Sequence, residues 1–233
     1  MRRVKTLITA SFLTLIFIGL TGCGPSLTTK VKDFPKMYTE KPESILILPP
    51  MNETTAAEAK SYYSTTIETP FAYQGYYIFP NELTSEILKQ EGIYDSELLY
   101  ETPLKKFHDY FGADAVLFTT IKKWDVSYAV IASSLTVSID AEIKSTKTSE
   151  TLWKYNGTIV QNLSDQNSSG GLAGILVSVI ATAINTALAD YTKYAQVANA
   201  RIINSAPYGV YHPNYMKDQN MEIIDQTPAQ NNQ

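Results

Sequence analysis

The chain has 233 residues, 44% of them hydrophobic and 18% charged, with a formal net charge of −4, which suits one folded domain of ordinary size. Its acidic balance argues against a nucleic-acid partner, since phosphates call for a basic surface. A single cysteine excludes an intramolecular disulfide, so an apolar core must hold the fold.

Arg2, Arg3 and Lys5 precede an uncharged apolar run, Leu7 to Leu20, of signal-peptide length and too short for a comfortable transmembrane helix. Leu20-Thr21-Gly22-Cys23 follows, in the pattern that bacterial lipoprotein processing reads. Residues 1–22 are therefore expected to be removed, with diacylglycerol on the Cys23 thiol and an acyl chain on the new amino terminus anchoring the chain to membrane lipid. Gly24, where an aspartate would mark inner-membrane retention, points to the outer membrane. Cleavage takes three of the 19 cations and none of the 23 carboxylates, leaving 16 against 23, a net of −7, and no free thiol. Beyond the acyl chains on Cys23 no cofactor is expected.

Residues 23–42, with Pro25, Pro35 and Pro42 and little periodicity, are expected to form the lipid anchor and an extended tether. Residues 43–216 then form the folded domain. Ser44 to Leu48, stopped by Pro49-Pro50, has the pattern of a buried central strand. A polar segment over Asn52 to Tyr63 leads to an aromatic block, Pro70 to Pro80, in which Tyr76 to Phe79 has the pattern of a second strand. Asn81 as N-cap, Leu83, Ile87 and Leu88 at helical spacing and Gly92 as a stop predict a short helix. Pro103 at the first helical position, a Leu104, Phe107 and Phe111 face and Gly112 as a stop predict another.

Ala113 to Ile121 has the pattern of a buried strand and Trp124 to Ile131 that of an earlier member of an antiparallel meander. The clearest alternation, Leu135, Val137, Ile139, Ala141 and Ile143 against Thr136, Ser138, Asp140, Glu142 and Lys144, predicts a half-buried strand. Thr146 to Ser149 is its turn, and Thr151 to Val160 returns with Trp153, Tyr155 and Ile159 on one side. Gly170 to Ala200 predicts a long helix: no residue from Gln166 to Ala189 is charged, and Leu172, Leu176, Val179, Ala183 and Ala187 share a face. That helix either covers the sheet or packs against membrane or subunit through its small residues. Residues 217–233, nearly free of bulky apolar side chains after Ile224, are expected to be a disordered tail. The fold class is thus α/β (α+β): one mixed sheet with an antiparallel meander, flanked by helices.

Two histidines, His108 and His212, come with no nucleophile elbow, phosphate loop or zinc-binding helix, and Asp114 and Asp140 stand as lone carboxylates, so neither an enzyme nor a metal site is expected. The aromatic residues are the better candidates for an interaction surface, because tyrosine combines contact area with a polar handle. They are Phe71, Tyr73, Tyr76 and Tyr77 in the block, and Tyr208 and Tyr211 in a segment, Pro207 to Pro213, with the pattern of an ordered strap.

Ile45 to Glu53, Ser64-Thr65-Thr66 with Pro70, Gly75 to Pro80 and Phe111-Gly112-Ala113-Asp114-Ala115 together resemble the meningococcal-antigen-type outer-membrane lipoproteins, over roughly residues 23–200. More distantly, Gly112 to Val116 followed by paired strands and a Lys-Thr-x-Glu-x-x-Trp turn is similar to the curli-secretion lipoprotein and the amino-terminal domain of the Tol translocation protein. Those relatives commonly carry glycine in that turn, whereas this chain has Ser149 between Thr148 and Glu150. The resemblance implies an outer-membrane-anchored, periplasm-facing, non-enzymatic component of an envelope assembly, such as curli-like secretion or transport, with other envelope lipoproteins as partners. The alternative it implies is a homo-oligomeric pore subunit of a secretion channel.

Overall fold

The computed structural model describes residues 26–93, 95–128, 133–162 and 191–226. At its centre lies a sheet of strand order β4-β2-β5-β6-β7, formed by β2 (Ser44–Ile47), β4 (Tyr77–Ile78), β5 (Ala115–Tyr128), β6 (Ser133–Ser145) and β7 (Thr151–Asn162). β3 (Met51–Asn52) also pairs with β5. β2 runs parallel to both β4 and β5, which explains why Ser44 to Ile47 is buried throughout. β5, β6 and β7 form the antiparallel meander. The α/β class and the mixed sheet are those expected.

The two strands expected over 113–121 and 124–131 are one. Ile121 pairs with Ile139, but Lys123 pairs with Ser138 and Trp124 with Val137, so one extra residue is accommodated at Lys122. That β-bulge returns Trp124 to the face that Ile121 occupies. The alternation changes phase there, which is why the sequence divides into two apparent strands. A second register shift lets both Leu152 and Trp153 of β7 reach the core.

Seven helices among the described residues cover this sheet: α1 (Lys30–Asp33), α2 (Pro35–Glu40), α3 (Ala59–Tyr73), α4 (Asn81–Gln90), α5 (Ser96–Glu101), α6 (Leu104–Phe111) and α7 (Tyr191–Ile203). On one face Tyr63, Ile67 and Phe71 of α3, Ala195, Ala198 and Ile202 of α7, and Phe34 and Met37 join Leu117, Ile121, Val137, Ile139, Ile143 and Trp153 of the strands in the main core. On the other, Leu46, Leu48 and Val116 meet Leu88, Leu99, Phe107 and Ala113. Each of the larger side chains among them, such as leucine, isoleucine, valine, methionine or phenylalanine, contributes roughly 1.5–3 kcal/mol when removed from water. Among the described residues no helix is long and apolar enough to cross a membrane.

α3 runs from the end of the segment expected to be polar into the start of the aromatic block. Its buried residues, Ala59, Tyr63, Thr66, Ile67, Pro70 and Phe71, fall on one helical stripe, and the Thr65 and Thr66 hydroxyls donate back to the carbonyls of Ser61 and Tyr62 at 3.0 and 2.6 Å. Pro80, not Asn81, is the N-cap of α4, and Pro103, expected as the first helical residue, is instead the N-cap of α6, which starts one residue later at Leu104. Asn81 has no capping role: its N–H donates to Glu68 and its side-chain amide to Ser64 O. Gly92 and Gly112 close those regions with positive φ, as the sequence predicts. Of the expected 170–200 helix, residues 170–190 lie outside the described residues. Its end, α7, packs on α3, where Asn199 donates to Thr66 at 2.8 Å.

Both ends depart from expectation. The stretch expected as a tether through residue 42 holds β1 (Leu27–Thr29), α1 and α2, with Phe34, Met37 and Tyr38 buried. Pro35, which suggested an extended chain, starts α2. The expected tail from 217 contains buried Asp218 and β8 (Glu222–Ile224), which pairs with β1 from Leu27↔Ile224 to Thr29↔Glu222. Residues 227–233 of that tail, and Cys23, lie outside the described residues.

Candidate functional site

The segment after α7 crosses the domain as a strap and seats against the corner between α3 and β4. Gly75 turns that corner with φ +91°, and a Cβ on it would lie 2.4 Å from the backbone nitrogen of His212. Gly209 is equally constrained, since a Cβ there would meet Gly75 O at 2.2 Å. Two glycines therefore allow main chain to lie directly on main chain. Gly209 N–H donates to Gln74 O at 2.9 Å and Tyr211 N–H to Gly75 O at 3.0 Å. The Gln74 side chain donates to Ala206 O at 2.7 Å and the Tyr76 hydroxyl to Pro207 O at 2.8 Å.

Beneath the strap lies a buried ion pair absent from the sequence-based reading. Lys30 Nζ donates to Ala206 O at 2.7 Å and to Asp218 Oδ2 at 3.3 Å, and sits 4.7 Å from the centre of the Tyr208 ring. Asp218 Oδ2 also accepts from Tyr208 N–H at 2.8 Å. Burial lowers the pKa of Lys30, with the Asp218 carboxylate opposing the shift. The Tyr38 hydroxyl and Asp218 Oδ1 make no hydrogen bond of regular geometry, and burial, reinforced by the neighbouring carboxylate, raises the tyrosine's pKa. His212 stacks on Tyr208 at 3.7 Å between ring centres and accepts from Asn214 N–H. Its pKa is lowered, chiefly by burial and further by Lys30, against the pull of Asp218.

The six aromatic candidates divide across this corner. Phe71 and Tyr76 belong to the core, Phe71 meeting Trp153 edge to face and Tyr76 showing solvent only a small edge. The helical stripe of α3 turns Phe71 inward, and the strap covers Tyr76. Tyr208 is half-buried over Lys30. Tyr73, Tyr77 and Tyr211 are 65%, 52% and 66% exposed. Tyr77 and Tyr211, with Ala72, Tyr76 and Ile78, border a shallow depression of about 490 Å³ beside β4, the edge strand. No local pattern announces Lys30 and Asp218, because each lies outside a periodic segment and its partner is 188 positions away.

The motif around Asp114 serves a different end. Asp114 Oδ2 accepts from Glu43 N–H, Ser44 N–H and Ser44 Oγ at 3.1–3.2 Å, and Oδ1 from Lys147 at 2.8 Å. Thr146 N–H donates to Asp114 O at 2.9 Å. Partial burial alone would raise the carboxyl's pKa, but the hydrogen bonds from Lys147, Ser44 and Glu43 outweigh it and the net shift is downward. This carboxylate joins the starts of β2 and β5 to the β6–β7 turn. In that turn Ser149 adopts φ +62°, so the conformation that favours glycine is kept without one.

A larger groove, about 960 Å³, lies over the outer face of β6 and β7, between Asp140, Glu142, Lys144 and Lys154 on one side and Tyr100 to Leu104 on the other. Three of these charges are already engaged: Asp140 accepts from Asn156, Glu142 from Thr151, and Lys144 lies 3.1 Å from Glu142. Among the described residues no cluster of three or more His, Cys, Asp or Glu side chains is arranged to hold a metal ion.

Residues 32–212 match the family described as "Putative lipoprotein GNA1162-like". The "Putative lipoprotein NMB1124/NMB1162" of Neisseria meningitidis serogroup B (strain ATCC BAA-335 / MC58) is 32% identical over 158 residues, 68% of this chain and 73% of that protein. The crystal structure of lipoprotein GNA1162 from Neisseria meningitidis, also at 32% identity, superposes with a TM-score of 0.49 over 60% of this chain and 95% of that one. A PelC dodecamer subunit from Paraburkholderia phytofirmans, at 11% identity, superposes with a TM-score of 0.44 over 71% and 89%. With the family match running from α1 to the strap, the chain belongs to the GNA1162-like lipoprotein family.

Proposed function

We propose that this protein is a non-enzymatic binding component of a cell-envelope assembly, anchored in the outer membrane by acyl chains on Cys23 with its body toward the periplasm. Its partner is another envelope lipoprotein, received at the corner formed by Tyr77 and Tyr211. The observation that carries this reading is the exposure of those two tyrosines around an open depression on a corner that the strap holds rigid. Large aromatic side chains on a fixed backbone lose little conformational entropy when they are covered, which is what makes them effective anchors in protein contacts.

Photo-crosslinking residues placed at Tyr77 and Tyr211 in the native cell test the proposal, with Tyr110 on α6 as the exposed control. One or two other lipoproteins captured in fixed stoichiometry from 77 and 211, and not from 110, are the expected result. Self-crosslinks alone would favour a homo-oligomeric ring, for which conductance in planar bilayers is the next measurement. No capture from either position would reject the site. Mass spectrometry of the detergent extract reads the acyl chains directly, and Cys23→Ala should release the protein from the membrane.

A further inference from the structure

Only four chain steps separate Cys23 from Leu27, where β1 begins. A fully extended chain covers about 3.3–3.6 Å per residue, so this span is at most about 14 Å, less than half a bilayer's thickness. An acylated Cys23 therefore keeps the β1–β8 ribbon at the membrane surface, whatever path the intervening residues take.

The chemistry of that ribbon suits such a position. Leu27 and Ile224 are directly opposed in the antiparallel register, so their side chains share one face, and they are 61% and 56% exposed. The next pair, Thr28 and Ile223, turns the other way, and Ile223 packs against the main core. Thr29 and Glu222, the next pair on the Leu27–Ile224 face, bring a carboxylate beside it, so attraction to anionic headgroups is not the source of the contact. The contact is made by the apolar Leu27–Ile224 pair, with Glu222 at headgroup level. The ribbon is also fixed to the body: Asp225 N–H donates to Ser26 O, Gln226 N–H to Asp33, and Lys30 and Val31 N–H to the carbonyls of Met221 and Gln219. Its orientation is therefore the body's orientation.

We propose that the Leu27–Ile224 face is a lipid-contact surface, seated in the interfacial region of the membrane that holds the Cys23 acyl chains, and that it fixes how the folded body stands on that membrane. The proposal rests on the lipid-anchor reading above. Once Cys23 is acylated the chain has no other thiol, so a cysteine introduced elsewhere can be labelled alone.

Lipidated Ile224→Cys and Leu27→Cys, each carrying an environment-sensitive fluorophore, are reconstituted in vesicles of phosphatidylethanolamine and phosphatidylglycerol containing headgroup spin-labelled lipid. Tyr110→Cys, exposed on α6 across the sheet from the main core, is the control. The expected result is blue-shifted emission and strong quenching at 27 and 224, with neither at 110. Emission at 224 indistinguishable from that at 110, in protein whose mass carries the acyl chains, overturns this proposal alone. A blue shift without quenching means that protein, such as a second copy, covers the pair, and also overturns it. A mass lacking the acyl chains overturns the anchor and the contact together.

Discussion

Two glycines and one serine set the tolerances of this molecule. Gly75→Ala and Gly209→Ala each drive a methyl group into opposing main chain, which has no rotamer by which to yield. Overpacking of this kind costs about 1–3 kcal/mol, and at Gly75 the positive φ adds to it. Gly92→Ala is the internal comparison: its φ of +83° is strained for alanine, but nothing lies within 4 Å of the added carbon. Urea midpoints should therefore fall further for Gly75→Ala than for Gly92→Ala. Ser149→Gly acts in the opposite sense. Relief of roughly 1–2 kcal/mol of left-handed strain, less the roughly 0.5–1 kcal/mol of entropy that glycine loses on folding, predicts a gain of about 0.5 kcal/mol in the same assay.

At the scale of elements, Asp114 fastens together the ends of strands that also pair in the sheet, β2 beside β5 and β5 beside β6. Its folded-state pKa lies below the ordinary carboxylate value, so its stabilisation is complete above the unfolded pKa, about 3.9, and is lost as pH falls through the folded value. Asp114→Asn should cost about 1–2 kcal/mol at neutral pH, with exposed Lys147 contributing little of it, and the gap from the parent should close in acid unfolding curves below about pH 4. The elements also mark what was legible in advance. The strand pattern of β6 and the apolar face of α6 were plain, because their periods run unbroken. α3 was hidden by Pro70 and two threonines although its buried stripe is regular, and β5 was split by the phase change at Lys122. The motifs that carry the family resemblance serve mainly this architecture: Gly75 admits the strap and Asp114 ties three strand ends. The candidate contact residues were half legible, since composition selects tyrosines but only the three-dimensional path of α3 and the strap decides that Tyr77 and Tyr211 face outward while Phe71 and Tyr76 do not.

On the scale of the whole molecule, the two ends of the described chain are clasped to each other. β1 pairs with β8, and Lys30 meets Asp218 out of reach of solvent. Removing one member of such a pair strands its partner, so Lys30→Met should cost about 3–5 kcal/mol. Lys30→Met with Asp218→Asn, which retains an acceptor for Tyr208 N–H, should recover part of that loss, and a double-mutant cycle in urea measures the coupling. These ends were the least legible part of the chain. Short segments with few apolar residues resemble linkers when read locally, and the partners that order them are found only at the opposite terminus.

That clasp has a consequence in time. A chain synthesised from its amino terminus presents Lys30 early and Asp218 late, 188 positions apart, so the amino-terminal ribbon must wait for nearly the entire polypeptide before it can close. Contacts of such high sequence separation slow folding, because the entropy of closing the loop is lost before the contact forms. Maturation of this protein should therefore end with the joining of its termini.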